Sequence, residues 1–423
     1  MKFFINSYFG DNQSIGLLSH IKKRLPYGMD DQWMVFSHYT ERGWTVDNLW
    51  HIFTDFYGGQ YAPLAFLSYL VLYAGFGYDP FYFHMFSLLL HIGCVCLVWK
   101  LISSLLRVHG GVSEKQILYV NFITTLLFAV HPINVEAVAW ISALKVLLYA
   151  FFYLLGLLCY LRYIRTSKIF YYVLTIGCFL CSFWGKEQAV TFPLALLIVD
   201  WFTNRNMKNL EVWSEKMSFL IMAFFFGIIT VLSQGKGPYE MIFPLYQRLL
   251  FGCFALVEYI TKSLLPVNLN FFYPFPIVLG EEPPLHYYLY PVVLLFLMGW
   301  IIAYRNNRYL VFGVLLFLVN LLFSIHLFNM SRHAIVADRY MYLSYVGIVF
   351  LIANGIWWLR KHIFEFPRSH STTIDFMLFF VHSANKNQSL SSLILNDTFS
   401  FFHFLNNVSN VTSSIFSAGR RFK

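Results

Sequence analysis

Charged residues are scarce in this sequence. Only 12% of its 423 residues are charged, as 30 Lys and Arg and 21 Asp and Glu, whereas a soluble domain has about 25%. Apolar residues make up 58% of the chain, and the mean hydropathy is +0.59. The polar surface of a soluble core of this size needs more charged residues than this. The apolar residues must therefore face lipid. The same composition excludes a disordered or a collagen-like chain.

Several other features are missing. The six cysteines all lie in apolar segments, where neither a disulfide framework nor a zinc site is expected. Residues 1–28 lack the apolar core of a signal peptide. No phosphate-binding loop or dinucleotide fingerprint occurs, so ATP-driven transport has no support in the sequence. The net charge of +9 is spread over small groups between apolar runs, so nucleic acid is not an expected partner.

Apolar runs long enough to cross a bilayer predict an all-α polytopic membrane protein with about nine transmembrane helices. The predicted spans are 81–99, 118–130, 137–161, 171–184, 189–202, 217–232, 287–303, 310–328 and 341–359. The basic loops between them fall on one side, which should be cytoplasmic. Residues 61–76 and 249–265 would break this alternation, so we expect both to be interfacial helices on the outer face.

Composition divides the chain into three parts. Residues 1–25 are an atypical N-terminal segment, because the basic cluster at 22–24 would lie on the translocated side without a preceding span. Residues 26–361 form the membrane domain. Residues 362–423 are a low-complexity tail, expected to be disordered or aberrant. We expect a first transmembrane helix to be missing or replaced.

Adjacent acids precede the first membrane segment. Asp30 and Asp31 lie in the sequence LPYGMDDQWMVF. Two neighbouring carboxylates can share a proton, hold a divalent cation, or divide into a base and an orienting group. A solvated loop pair is the simpler interpretation, and the spacing alone leaves both open.

The segment HPINVEAVAWISALK places His131, Glu136 and Lys145 at the outer start of an apolar helix. A helix beginning near Ile133 would offer its N-terminal amides to a phosphate or carboxylate. The alternative is a capped helix with polar residues at the headgroup level. Lys145 favours function, because an ionisable residue inside a span is costly.

Two further outer loops carry charge. In WGKEQAVTFP, Lys186 and Glu187 either pair with each other or contribute to a site. In SRHAIVADRYMYL, Arg332 and Arg339 need an anion. Asp338 is one possible partner, and a lipid phosphate is the functional alternative.

These segments together resemble a known family. The sequences YAPLAFLSYLVLYAGFGYDPFYFHMFSLLLHI, LLFAVHPINVEAVAWISALK, WGKEQAVTFPLALLIVDW, YITKSLLPVNLNFFYPFP and VADRYMYLSYVGI occur in this order within residues 26–361. They are similar to the bacterial-type membrane domain of the transmembrane and tetratricopeptide repeat-containing O-mannosyltransferases. No helical repeat of 34-residue period follows.

The resemblance implies a GT-C glycosyltransferase, which takes a sugar from a polyprenyl-phosphate carrier on the extracytoplasmic or lumenal side. The family's acidic pair maps onto Asp30 and Asp31, of which one would be the general base. Arg332, Arg339 and Lys186 would stabilise the leaving phosphate, supported by His131 and Glu136. Of a charged pair common in relatives, only Lys145 is present here.

The expected function is transfer of a hexose such as mannose to a hydroxyl on protein or envelope glycan. A bacterial inner membrane is the expected location, or the endoplasmic reticulum if the chain is eukaryotic. The alternatives are a non-catalytic transporter of lipid or solute, whose ionisable groups should line a midplane path, and an inactive truncated family member. The sequence indicates no particular cofactor, although the acidic pair could hold a divalent cation.

Overall fold

The computed structural model describes residues 31–234, 243–270, 272–327 and 334–363, which are almost entirely helical. The predicted N-terminal segment and almost all of the predicted tail lie outside these residues. The helices are α1 (Asp31–Met34), α2 (His38–Glu41), α3 (Val46–Thr54), α4 (Pro63–Phe76), α5 (Pro80–His109), α6 (Glu114–Val130), α7 (Val135–Ala139), α8 (Leu144–Thr166), α9 (Ile169–Gly185), α10 (Phe192–Phe202), α11 (Leu210–Gln234), α12 (Leu245–Leu264), α13 (Leu289–Ala303), α14 (Arg308–Leu321) and α15 (Met341–Ile363).

Short elements join these helices. The 3₁₀ turns of the described residues are Pro132–Asn134, Ile141–Ala143, Glu187–Thr191, Leu285–Tyr288 and Asp338–Tyr340. Two short strands, β1 (Tyr273–Pro274) and β2 (Ala334–Val336), pair antiparallel with Tyr273 opposite Val336. This pairing attaches the loop after α12 to the segment that leads into α15.

The prediction of an all-α integral membrane protein is confirmed. Five helical segments of the described residues are long and apolar enough to cross a bilayer, namely Pro80–His109, Ile141–Thr166, Leu210–Ser233, Leu285–Ala303 and Asp338–His362. A sixth span results if Glu114–Val130 and Pro132–Ala139, which are bent by 50° at their junction, count as one.

The predicted count of nine spans is not confirmed. The predicted span 189–202 contains α10, which has 11 residues and is therefore only about 16 Å long. The hydrocarbon core is about 30 Å thick, so α10 alone is too short to cross it. Helices α9 and α14 are apolar but also shorter than the other spans. A hydropathy window cannot detect this difference, because apolar residues continue into turns at the helix ends.

Helix α8 is central and α13 is peripheral. Most side chains of α8 are buried, whereas α13 has no buried residue. On α13 the Phe296 side chain is 77% exposed, which in a bilayer means contact with acyl chains. Helix α8 is therefore the helix against which the others pack, and each of its ends positions the loops at that end of the bundle.

Small residues allow close helix crossings beside this centre. A Cβ at Gly185 would lie 2.8 Å from the Tyr149 backbone nitrogen, so α9 passes directly over α8. A Cβ at Gly347 would lie 2.5 Å from the Gly313 carbonyl oxygen, between α14 and α15. Membrane helices pack by such small residues, because lipid supplies no hydrophobic force between them.

A buried charge cluster closes the C-terminal end of α8. Lys216 forms ion pairs with Asp200 and Glu215 and donates to the Tyr160 hydroxyl. Arg205 pairs with the same two acids, at 3.2 Å and 2.6 Å. Lys216 and Asp200 are fully buried, so their charges are stable there only because each is paired.

Lys216→Met should therefore destabilise the protein by about 3–5 kcal/mol, because Asp200 would lose one of its two cationic partners inside the bundle. Chemical denaturation in mixed micelles measures the free energy of unfolding. The control is Lys208→Met, which removes an exposed lysine from the loop just before α11 and should change little. Equal effects of the two substitutions would contradict the assigned role of the cluster.

Candidate active site

Asp31 is fixed against the start of α8. Its side chain belongs to a residue that is only 2% exposed, and its Oδ1 accepts a hydrogen bond from the Ser142 amide at 3.0 Å and a second from the Ser142 hydroxyl. The solvated-loop interpretation is therefore wrong for Asp31. Asp30 lies outside the described residues.

Glu136 and Arg339 form the central ion pair of this end of the bundle. Oε1 of Glu136 accepts from Nη1 of Arg339 at 2.5 Å, and Oε2 accepts from the Arg339 backbone amide at 2.7 Å. The guanidinium carbon of Arg339 also lies 4.9 Å from the Trp140 ring centroid. Arg339 thus pairs with Glu136, and the Asp338 pairing, one of the two alternatives considered from the sequence, is not formed.

Asp338 has a different partner. Both of its carboxylate oxygens accept from the Tyr273 hydroxyl at 3.1 Å. Burial and the adjacent Asp338 carboxylate raise the pKa of Tyr273, so its hydroxyl stays protonated and can donate. Lys262 contacts the same tyrosine, with its Nζ over the Tyr273 ring, 4.5 Å from the ring centroid.

Lys186 approaches the same group from α9. It is buried, and its Nζ lies 4.6 Å from the Tyr340 ring centroid, where the negative face of an aromatic ring attracts a cation. Its neighbour Glu187 is partly exposed and forms no hydrogen bond or ion pair within the described part of the chain. The simple Lys186–Glu187 pair considered from the sequence is not formed.

Lys145 lies one residue inside α8. Its Nζ donates to the Gln60 side-chain oxygen at 2.6 Å. Gln60 closes a tight turn with Tyr57, since each of these two residues donates its amide to the other's carbonyl at 3.1 Å. Lys145 therefore connects α8 to the first outer loop.

His131 has a capping role. It is buried at the C-terminal end of α6, and its Nδ1 accepts from the Ile133 amide at 3.3 Å. Its ring also lies 4.5 Å from the Tyr345 ring. This agrees with the capped-end alternative for His131.

The expected helix start near Ile133 is wrong. Helix α8 begins at Leu144, after two 3₁₀ turns and the five-residue α7. Trp140 is extended, with φ −83° and ψ 120°, so the helix cannot run through it. The interruption allows four residues within ten positions to face three partners: Glu136 and Trp140 face Arg339, Ser142 faces Asp31, and Lys145 faces Gln60.

The structure thus brings most of the predicted residues to one wall, which we define as residues 136–145. Asp31 contacts it at Ser142, Arg339 at Glu136 and Trp140, and Lys145 belongs to it. Asp338 lies next to Arg339 in the chain, and Lys186 contacts Tyr340 on the other side of Arg339, so both lie near this wall. Arg332 lies outside the described residues.

Sequence reasoning missed several participants, namely Gln60, Trp140, Ser142, Tyr273 and Lys262. The available signal was the segment LVEYITK followed by FFYPFP, which places a lysine at an amphipathic helix end before an aromatic loop. Within the described residues, no group of three or more His, Cys, Asp and Glu side chains is arranged to hold a metal ion.

Comparison with known proteins supports the resemblance. Protein O-mannosyl-transferase TMTC2 of Mus musculus is 32% identical over 189 residues, 41% of this chain. TMTC4 of Homo sapiens is 31% identical over 34% of the chain, and Tmtc3 of Drosophila melanogaster is 28% identical over 36%. The chain spans about a fifth of the length of these curated relatives, with shares of 21%, 22% and 18%. No family model and no solved structure matches.

Glu136→Gln should lower the free energy of unfolding by about 2–3 kcal/mol, since it replaces a charge-assisted contact with Arg339 by a neutral one. Chemical denaturation in mixed micelles is the measurement. Glu187→Gln is the matched control, because Glu187 has no such partner among the described residues. A loss for Glu187→Gln as large as for Glu136→Gln would show that the Glu136–Arg339 pair is not special.

Proposed function

We propose that this chain, which is homologous over about two fifths of its length to the TMTC protein O-mannosyl-transferases, is a membrane-embedded glycosyltransferase. It transfers a hexose such as mannose from a polyprenyl-phosphate carrier to a hydroxyl of a protein acceptor. The observation that carries this proposal is the wall 136–145, where a buried carboxylate and several cations meet at one end of the bundle.

Asp31 is the proposed general base. Its carboxylate accepts the proton of the acceptor hydroxyl while the hydroxyl oxygen attacks the anomeric carbon. The bond between that carbon and the phosphate oxygen breaks at the same time, and the carrier phosphate leaves with the electron pair. Ser142 positions the base by holding Oδ1 with its amide and its hydroxyl. Burial excludes water, which would otherwise compete as acceptor.

The leaving phosphate needs positive charge nearby. Lys186 Nζ lies 4.6 Å and Arg339 Cζ 5.1 Å from the same Tyr340 ring centroid, so the two cations are within about 10 Å of each other, one Debye length at 0.1 M salt. Two cations this close together make a favourable position for an anion, so the carrier phosphate would be stabilised there as its charge develops.

The same arrangement supports an assignment of the membrane face. The wall lies at the N-terminal end of α8, whereas the Lys216 cluster lies near the C-terminal end, roughly 24 Å away along the helix. The basic loops 162–168 and 205–216 belong to that second end. The positive-inside rule therefore supports an extracytoplasmic active face, in a bacterial inner membrane or, in a eukaryote, on the lumenal side.

Asp31→Asn should reduce sugar transfer by about 10²–10⁴-fold, since the amide cannot accept the proton. The assay follows radiolabelled hexose from a polyprenyl-phosphate donor to a Ser- and Thr-containing peptide in proteoliposomes. Asp47→Asn, which changes a side chain that is 78% exposed, is the control. Unchanged turnover of a folded Asp31→Asn protein would remove the proposed base.

Lys186→Met should lower kcat by about 10²–10³-fold, because one charge that stabilises the leaving phosphate is lost. Lys168→Met is the matched control, since Lys168 is exposed at the opposite end of the same helix, α9. A change in the acceptor KM alone, with kcat intact, would place Lys186 outside the leaving-group site.

A further inference from the structure

The first outer loop contains an opening at the start of the turn formed by residues 57–60. Its volume is about 410 Å³, within the range of roughly 300–1,000 Å³ for small-molecule sites. The lining residues are His38, Tyr39, Thr54, Asp55, Phe56 and Tyr57. None of them belongs to the site described above.

Asp55 is held in one orientation. Its Oδ2 accepts from the Tyr39 hydroxyl and is bound by Nδ1 of His51, both at 3.0 Å. Among the described residues, Oδ1 contacts the Thr54 hydroxyl at 3.4 Å, too long for a strong hydrogen bond. The Asp55 side chain is 40% exposed, so Oδ1 is available to accept from a ligand hydroxyl.

The aromatic lining is also fixed. The Tyr57 ring packs edge-on against the rings of His38 and Tyr39, with centroids 5.0 Å and 5.4 Å away. Phe56 packs edge-on against Tyr61 at 5.9 Å. Burial and the nearby Arg42 lower the pKa of His38, so its imidazole is neutral at pH 7 and offers one donor and one acceptor.

A rigid turn connects this opening to the active site. Tyr57 and Gln60 enclose Gly58 and Gly59, which have φ of +58° and +72°, values that favour glycine. Gln60 accepts from Lys145 on the wall. A Cβ at Gly58 would lie 2.5 Å from the Trp33 ring, and Trp33 is two residues from Asp31. The opening and the base are therefore positioned by the same few residues.

We propose that this opening binds a neutral hexopyranose ring. An aromatic wall suits the C–H face of a pyranose, while an oriented carboxylate and neutral donors suit its hydroxyls. Asp55 repels phosphate, so the carrier's anionic group does not bind here. This inference rests on the proposed function, in that the ring is either the donor's hexose or a sugar already attached to the acceptor.

Binding is tested without catalysis. Methyl hexopyranosides in the manno, gluco and galacto configurations are titrated against the purified full chain by calorimetry, with saturation-transfer NMR to detect weak binding. Asp55→Asn should weaken binding at least tenfold, because the amide presents a poorer acceptor to the hydroxyls. Asp79→Asn is the control, because it makes the same change at an exposed residue that caps α5 and does not line the opening, and Asn caps a helix equally well. It should leave the Kd unchanged.

A second pair of variants tests the connection to the active site. Gly58→Ala should weaken both hexoside binding and transfer, since it strains the turn and meets Trp33. Gly43→Ala introduces a residue at a similar φ of +69° with nothing within 4 Å, and should affect neither.

The outcomes separate this inference from the proposed function. Asp31→Asn should bind hexosides as the unmodified chain does. If the unmodified chain binds hexosides through Asp55 but transfers no sugar, the binding site is supported and the enzymatic function is not. In the transfer assay, Asp55→Asn raises the donor KM if the ring is the donor's, and the acceptor KM if it belongs to the acceptor. Three results would each overturn the inference: no saturable hexoside binding, an equal loss of binding in Asp79→Asn, or binding of a sugar-free peptide alone at the opening.

Discussion

The ion pair between Glu136 and Arg339 joins α7 to the 3₁₀ turn before α15, and the two residues are 203 positions apart in the sequence. Both side chains are largely buried, where charges attract more strongly than in water but also cost more to desolvate. Each is stable there only while the other is present. This mutual dependence holds the loop before α8 against the turn before α15, and the other groups of the site are arranged around that junction.

The interrupted helix start is the second constraint. A continuous helix over residues 131–161 would satisfy its own backbone and would spread the polar side chains around its axis. Breaking it at Trp140 exposes amides, and Ser142 uses one of them to hold Asp31. The interruption costs helical hydrogen bonds, but it fixes a carboxylate and several cations on the wall 136–145. Preorganised charges of this kind are what electrostatic catalysis requires.

Much of the fold could be predicted because hydropathy is a local property. Every predicted span overlaps an apolar helix. An apolar run of about 17–25 residues predicts a membrane helix whatever its tertiary contacts are. The predicted number of spans is not confirmed at α10. Apolar residues continue from this short helix into a 3₁₀ turn, so the hydropathy of the whole segment resembles that of a long helix. The helix start near Ile133 failed because contacts of Asp31 and Arg339, distant in sequence, override the helical pattern of residues 131–145.

By itself, the sequence determined the membrane class, the similarity to O-mannosyl-transferases and most of the charged residues of the candidate site, because scarcity makes each charge in an apolar chain conspicuous. Only the tertiary structure decided which charges meet. Arg339 pairs with Glu136 rather than with its neighbour Asp338, which accepts from Tyr273 instead. Adjacent side chains in a turn can point in different directions, and a buried ion pair depends on geometry and desolvation, which only the folded chain supplies.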